Sequence, residues 1–194
     1  GDEDPLRPQP GVRHFPEAMS SAVALLHSAR TSIDRVAFTV DHRQVLETFL
    51  TTHKNGIRVR ILLDRLQFDK GSPKRQFGWL RQVLDHGRGT TEMRSFSSWL
   101  RSRQGFGHPW PAQLHAMFCV VDDATGWLGS MNATENSGMS FEVIKILQQD
   151  EARELKKMFE SWWTRGGEEI LTLEKMKAMK PRSLDDDSSQ AFNV

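Results

Sequence analysis

The stretch HAMFCVVDDATGWLGSMN, from His115 to Asn132, gathers within eighteen residues the side chains best suited to act on an anion. Its skeleton is H-x-M-x4-D-x6-G-S-x-N. A neutral imidazole such as that of His115 can attack phosphorus directly at neutral pH, so it can approach a phosphodiester without adding negative charge. Ser130 and Asn132 stand two apart, and in extended chain they share a face. They offer a hydroxyl and an amide to phosphate oxygens. His115 and Met117 are also two apart, and a strand over Leu114–Val121 would point both at the same phosphate. Asp122, at the turn that follows, suits fixing a hairpin better than chemistry. Glu142 lies ten residues past Asn132, where a carboxylate can hold one imidazole nitrogen of His115 and set its tautomer. The bland alternatives are a satisfied core histidine and a surface glutamate.

With lysine in place of Met117, this pattern would be the signature of the phospholipase D superfamily, and the chain resembles single-motif members of it, bacterial nucleases and mitochondrial Zucchini-type proteins among them. The lead-in FTVDHRQVLETFLTTHKNGIRVRILLD carries the same resemblance, which spans about residues 15–165. It implies a metal-independent phosphodiesterase that works through a phosphohistidine, with Gly129 as part of the motif's frame. It also implies a homodimer. One motif supplies one histidine, whereas the reaction needs one to attack and one to protonate the leaving oxygen. Two chains across a two-fold axis supply both.

Met117 is close to lysine in length but carries no charge and donates no hydrogen bond. A positioned cation on a phosphoryl group contributes about 3–4 kcal/mol to the transition state, roughly a hundred- to a thousandfold in rate. The chain is therefore expected to be weak or inactive. Two explanations stand, a lysine deliberately replaced by a near-isostere or a natural chain that is degenerate and has kept the fold for binding, and the intact His115, Ser130, Asn132 and Glu142 favour the first.

Net charge is only +1, but from Lys54 to Arg103 there are twelve Lys/Arg against four Asp/Glu. Such a basic segment attracts polyanions, unless it is simply a solvated face. Lys54, Arg58, Arg60, Lys74, Arg75, Arg101 and Arg103 are its candidate phosphate contacts, and Trp99 and Trp110 are candidate stacking platforms for single-stranded nucleic acid. The same aromatic loop beside basic residues would also suit an anionic phospholipid surface. A catalytically dead binding scaffold is the third reading. No metal or other cofactor is indicated: there is no Cys-x-x-Cys and no pair of histidines four apart. The single cysteine, Cys119, favours an intracellular, reducing compartment, the mitochondrion being one candidate. The chain begins Gly1-Asp2-Glu3-Asp4, so a targeting segment upstream would not be visible.

Helical spacing runs over Pro16–Arg30, Arg43–Lys54, Pro73–Asp85 and Asp150–Arg165, the last N-capped by Asp150 with Ala152, Leu155, Met158, Phe159 and Trp162 inward. A further helix is expected over Ile170–Met179. Strands are expected at Ser32–Val40, Ile57–Asp64, Glu92–Phe96, Leu114–Val121, Trp127–Ser130 and Phe141–Leu147. The alternation predicts an α/β fold, a mixed β-sheet sandwiched by helices, with one motif per chain. Residues 1–14 read as an extended lead-in, 15–180 as the domain, and 181–194 as an acidic disordered tail.

Overall fold

Strand β2 (Ser32–Ala37) carries the sequence SIDRVA and is buried along its whole length. Its central position is what a short β-branched and apolar run demands when both faces are covered. The computed structural model describes residues 5–37, 43–64, 74–87, 89–96, 114–131, 141–165, 169–172 and 174–175. Around β2 lie β1 (Gly11–His14), β3 (Arg58–Asp64), β4 (Thr91–Phe96), β5 (Phe118–Val121), β6 (Thr125–Gly129), β7 (Val143–Ile146) and β8 (Glu169–Ile170). They form one sheet in the order β1-β7-β6-β5-β2-β3-β4-β8. The β2, β3 and β4 pairings are parallel and all the others antiparallel, so the sheet is mixed, as the alternation of elements predicts.

Parallel pairing requires crossovers, and helices supply them. Helix α2 (Arg43–Lys54) links β2 to β3, and α3 (Lys74–His86) links β3 to β4. With α1 (Glu17–His27) they cover one face, where Leu25, Leu26, Val45, Phe49, Leu80 and Val83 pack on Ile33, Ile61, Cys119 and Trp127. Helix α4 (Gln149–Arg165) covers the other face, where Phe159 and Trp163 pack on Val36, Leu62, Phe118 and Val120. The sheet is thus sandwiched by helices, with a core on each side. Among the described residues no helix is long and apolar enough to cross a membrane.

Several element details differ from expectation for identifiable reasons. Within the lead-in, Gly11–His14 pairs with β7 as an edge strand. Helix α4 is capped by Gln148 rather than Asp150: the Gln148 N–H donates to Glu151 at 3.0 Å, and its carbonyl accepts from Ala152 at 2.9 Å. This is half of a capping box, and Asp150 sits in the first turn, where its charge favours the helix dipole. On the same helix Met158 is exposed and Trp163 is buried. Trp163 stacks on Phe159 one turn earlier, with ring centroids 5.5 Å apart, and the Arg94 guanidinium lies 4.3 Å from its ring. The helix expected from Ile170 begins instead as strand: β8 closes the far sheet edge by pairing with Arg94 and Ser95, and Leu171 N–H donates to Met93.

The β5–β6 hairpin is the tightest part of the sheet. Its turn places Asp122 and Asp123 at φ 55°, a left-handed region that aspartate tolerates better than most residues. Gly126 sits at φ 147°, and a β-carbon there would lie 1.9 Å from the Cys119 carbonyl oxygen. At Gly129 it would lie 2.2 Å from the Val143 carbonyl oxygen, so β6 and β7 approach closely only because this residue has no side chain.

Candidate active site

The register brings the motif residues to one end of the sheet. Phe118 opens β5 opposite Val36, near the C-terminal end of β2, and pairs with Leu128 near the end of β6. Gly129 in turn pairs with Ile144 near the start of β7. The residues just beyond, His115 to Met117, Ser130 and Glu142, therefore share the end at which β2, β3 and β4 terminate. Ser95 and Asp64 lie at that end as well.

The strand expected from Leu114 begins only at Phe118. The Leu114 N–H is taken by the buried Asp64 carboxylate at 2.9 Å instead of by a neighbouring strand. The Met117 carbonyl accepts from Gly129 N–H at 3.2 Å, which carries the hairpin pairing one residue past the strand. His115 is exposed and Met117 half-buried, so the approach to this end is open at both.

Ser130 follows β6 directly. Its N–H donates to Val143 O at 3.1 Å, and its hydroxyl donates to Glu142 Oε2 at 2.5 Å while accepting from Val143 N–H at 3.2 Å. The contact the structure gives Glu142 is thus with Ser130, where the sequence reading aimed it at His115. A hydroxyl held by a carboxylate has its proton turned inward and its lone pairs partly committed, so Glu142 orients Ser130. Beside it, Phe15 N–H donates to Glu142 O at 3.1 Å, and the rings of Phe15 and Phe141 meet at 5.1 Å, with Phe141 90% exposed. Neither phenylalanine stood out in the sequence, because a lone Phe beside a proline or after a serine carries no periodic signal.

Asp122 is tied into the frame behind the site. It accepts from Arg30 and Thr31 N–H at 3.0 and 2.8 Å, from Ser32 N–H at 3.1 Å, and from Arg7 Nη2 at 2.6 Å. Burial pushes its carboxyl up, but these hydrogen bonds outweigh burial and leave it below the ordinary carboxylate range. It lies at the opposite end of β5 from Met117, so it acts by fastening the hairpin to the α1–β2 loop.

The basic segment does not converge on the site as a block. Arg58 pairs with Ser32 at the start of β3, six residues and about 20 Å from Asp64 at the strand's rise per residue. Lys54, at the end of α2, belongs to that same distant end by chain order. Arg60, expected as a phosphate contact, is instead engaged within the fold. Its Nε donates to Asp34 at 2.7 Å, its outer nitrogens bind Glu160, and its guanidinium lies 4.8 Å from the Phe159 ring. Its charge is committed to holding α4 on the sheet and is not available to a polyanion. Lys74 and Arg75 open α3, the helix leaving the C-terminal end of β3, and so belong to the motif's end of the sheet. Asn132, Trp99, Arg101, Arg103 and Trp110 lie outside the described residues. Among the described residues, no cluster of three or more His, Cys, Asp or Glu could hold a metal ion.

Two buried groups stand near the motif. The Cys119 thiol is pushed up to about 12 by burial, slightly opposed by Arg35, and is an inert core group. Arg35 is a charged residue in the middle of a buried strand.

Comparison with known proteins bears on the fold. The family described as "Cardiolipin synthase, PLD-like domain" matches residues 22–163. No curated protein matches the chain by sequence. Among solved structures, the phospholipase D family member Nuc from Salmonella typhimurium is 18% identical with a TM-score of 0.68, covering 84% of this chain and 99% of that one. NucT from Helicobacter pylori is likewise 18% identical at TM-score 0.68, covering 82% of this chain and 98% of that one. Phosphatidylserine synthase from Haemophilus influenzae is 12% identical at TM-score 0.61, covering 94% of this chain and 44% of that one. These structures share the fold, and with the family match over most of its length the chain belongs to the phospholipase D superfamily, in its PLD-like domain family, as a member with a single motif.

Proposed function

We propose that the chain is a metal-independent phosphodiesterase of nuclease type, acting on single-stranded nucleic acid and weakened by methionine at position 117. The observation that carries this reading is the placement of His115, Ser130 and Glu142 at one open sheet end, with Ser130 Oγ held by the Glu142 carboxylate at 2.5 Å. In the proposed reaction His115 attacks the phosphorus, the phosphorus–oxygen bond to the leaving group breaks, and a phosphohistidine forms. The His115 of a second copy protonates the leaving oxygen and then activates the water that releases the phosphate. Asn132, and Ser130 once its hydroxyl proton turns from Glu142 to the substrate, hold the non-bridging oxygens. The missing cation at Met117 leaves the charge developing in the transition state under-stabilised.

Support for nucleic acid comes from the likeness to Nuc and NucT, from Lys74 and Arg75 at the motif's end of the sheet, and from the exposed Phe141 ring, backed by the half-buried Phe15, beside Ser130, since stacking on rings serves single strands. A lipid phosphodiester is the second reading. It is favoured by the likeness to a phosphatidylserine synthase and by the same exposed Phe141 ring, which would suit a membrane surface.

The test is to offer labelled single-stranded RNA, single-stranded DNA and anionic phospholipid vesicles, all in EDTA, to this chain and to Met117→Lys. The proposal expects nucleic-acid cleavage that rises with lysine and weakens steeply with salt at the binding step. Turnover of phospholipid alone would replace it with the lipid reading, and silence from both proteins on every substrate would leave a binding scaffold.

A further inference from the structure

Arg35 occupies the centre of β2, 1% exposed, on the face covered by α1, α2 and α3. Among the described residues its Nε and Nη1 are buried without a hydrogen-bond partner, and so is the Nε1 of Trp127. Its guanidinium carbon lies 4.9 Å from the Trp127 ring centroid, so its compensation is a ring face rather than an acceptor. The nearest carboxylate in sequence, Asp34, points to the other face and is engaged by Arg60 and Lys156. Burial depresses the guanidinium from its ordinary value. A buried cation with open donors and no counter-charge is expensive, and natural structures rarely keep one without an occupant for it.

The register says where that occupant would sit. Arg35 pairs with Cys119 on β5, and Cys119 pairs with Trp127 on β6. Met117 lies two residues before Cys119, just outside β5 and nearer the open end, with its carbonyl accepting from Gly129 N–H. Two residues of strand are about 7 Å, a distance comparable to the length of an arginine side chain. Met117 is half-buried, unbranched and able to change rotamer, so it can yield.

We propose that Arg35 is the phosphate-binding cation of this site, stored against Trp127 and swinging past Met117 to meet a phosphate held at His115 and Ser130. The proposal rests on the reading of this sheet end as a phosphodiester site. The planar guanidinium fork matches two phosphate oxygens at once, and the phosphate supplies the acceptors that the buried donors lack. The chain then keeps a cation for binding although position 117 has none.

The test is calorimetric titration of the full chain with inorganic phosphate, with thermal unfolding measured in parallel, for the unaltered protein, Arg35→Met, Arg35→Lys, and Arg35→Met with Met117→Lys. The proposal expects Arg35→Met to weaken phosphate binding at least tenfold while raising Tm, because an unpaired buried charge has been removed. Arg35→Lys, with a cation but no fork, falls between, and lysine at 117 restores binding in the Arg35→Met background. Equal phosphate affinity in the unaltered protein, Arg35→Met and Arg35→Lys overturns the assignment. If Met117→Lys nevertheless cleaves nucleic acid, the phosphodiesterase reading stands without Arg35. No phosphate binding by any variant, together with no cleavage, overturns both.

Discussion

Ser130 and Asp122 show how two polar residues of one motif serve different ends. Ser130 is exposed, and its hydroxyl is held by Glu142. Ser130→Ala in the Met117→Lys background should lower kcat/KM by roughly tenfold or more, through loss of the hydroxyl whose proton turns from Glu142 to the phosphate in the transition state, with an unchanged unfolding temperature as the check that only the site was touched. Asp122 accepts from five donors at the turn, one of them Arg7. Asp122→Ala should cost about 2–3 kcal/mol of stability, since hydrogen bonds to a charged acceptor are the stronger kind. Because its folded carboxyl lies below the ordinary range, this stabilisation is complete above about pH 4 and is lost as pH falls through the folded value. Denaturant unfolding from pH 7 down to pH 2 should therefore show the gap between the unaltered chain and Asp122→Ala narrowing in acid.

Among the secondary-structure elements, helix α4 is fastened by charge as well as by packing. Asp34, wholly buried in β2, accepts from Arg60 at 2.7 Å and from Lys156 at 2.5 Å, and Glu160 completes the network from the helix. Removing Asp34 would leave Arg60 and Lys156 with only their less buried partners, Glu160 and Asp123, so Asp34→Ala should cost about 2–3 kcal/mol, read from denaturant unfolding. Substitution of Gly126 by alanine should be comparably severe, because the new β-carbon would collide with the Cys119 carbonyl of the partner strand. Helix α2 and the bodies of β2, β3 and β4 were readable in the chain because periodicity and strand composition agree there. The start of β5 and the cap of α4 were not. Each depends on a tertiary hydrogen bond, Asp64 to Leu114 in one case, or on a reciprocal contact, Glu151 to Gln148 in the other. Likewise, charge counting marked Arg60 as a phosphate ligand, and only the fold reveals Asp34 and Glu160 against it. Phe15 and Phe141 come together only through the pairing of β1 with β7.

Taken as one body, the sheet brings His115, Met117, Ser130 and Glu142 to a common end, where among the described residues the motif supplies one histidine. The proposed reaction needs a second, and a two-fold pair of chains would provide it. Light scattering should then give a mass near twice 22.2 kDa in dilute solution, and a monomer mass with retained cleavage in Met117→Lys would contradict the two-histidine scheme. The order of the motif, and with it the superfamily, was legible from eighteen residues; the geometry behind it, and the buried Arg35, required the strand register. The most direct test of the central claim is a side-by-side rate measurement on labelled single-stranded nucleic acid for the unaltered chain, Met117→Lys, and Met117→Lys with His115→Asn. The account predicts a gain of about a hundred- to a thousandfold on adding lysine, and its complete loss without His115. Equal rates in all three, or cleavage that survives removal of His115, would contradict it.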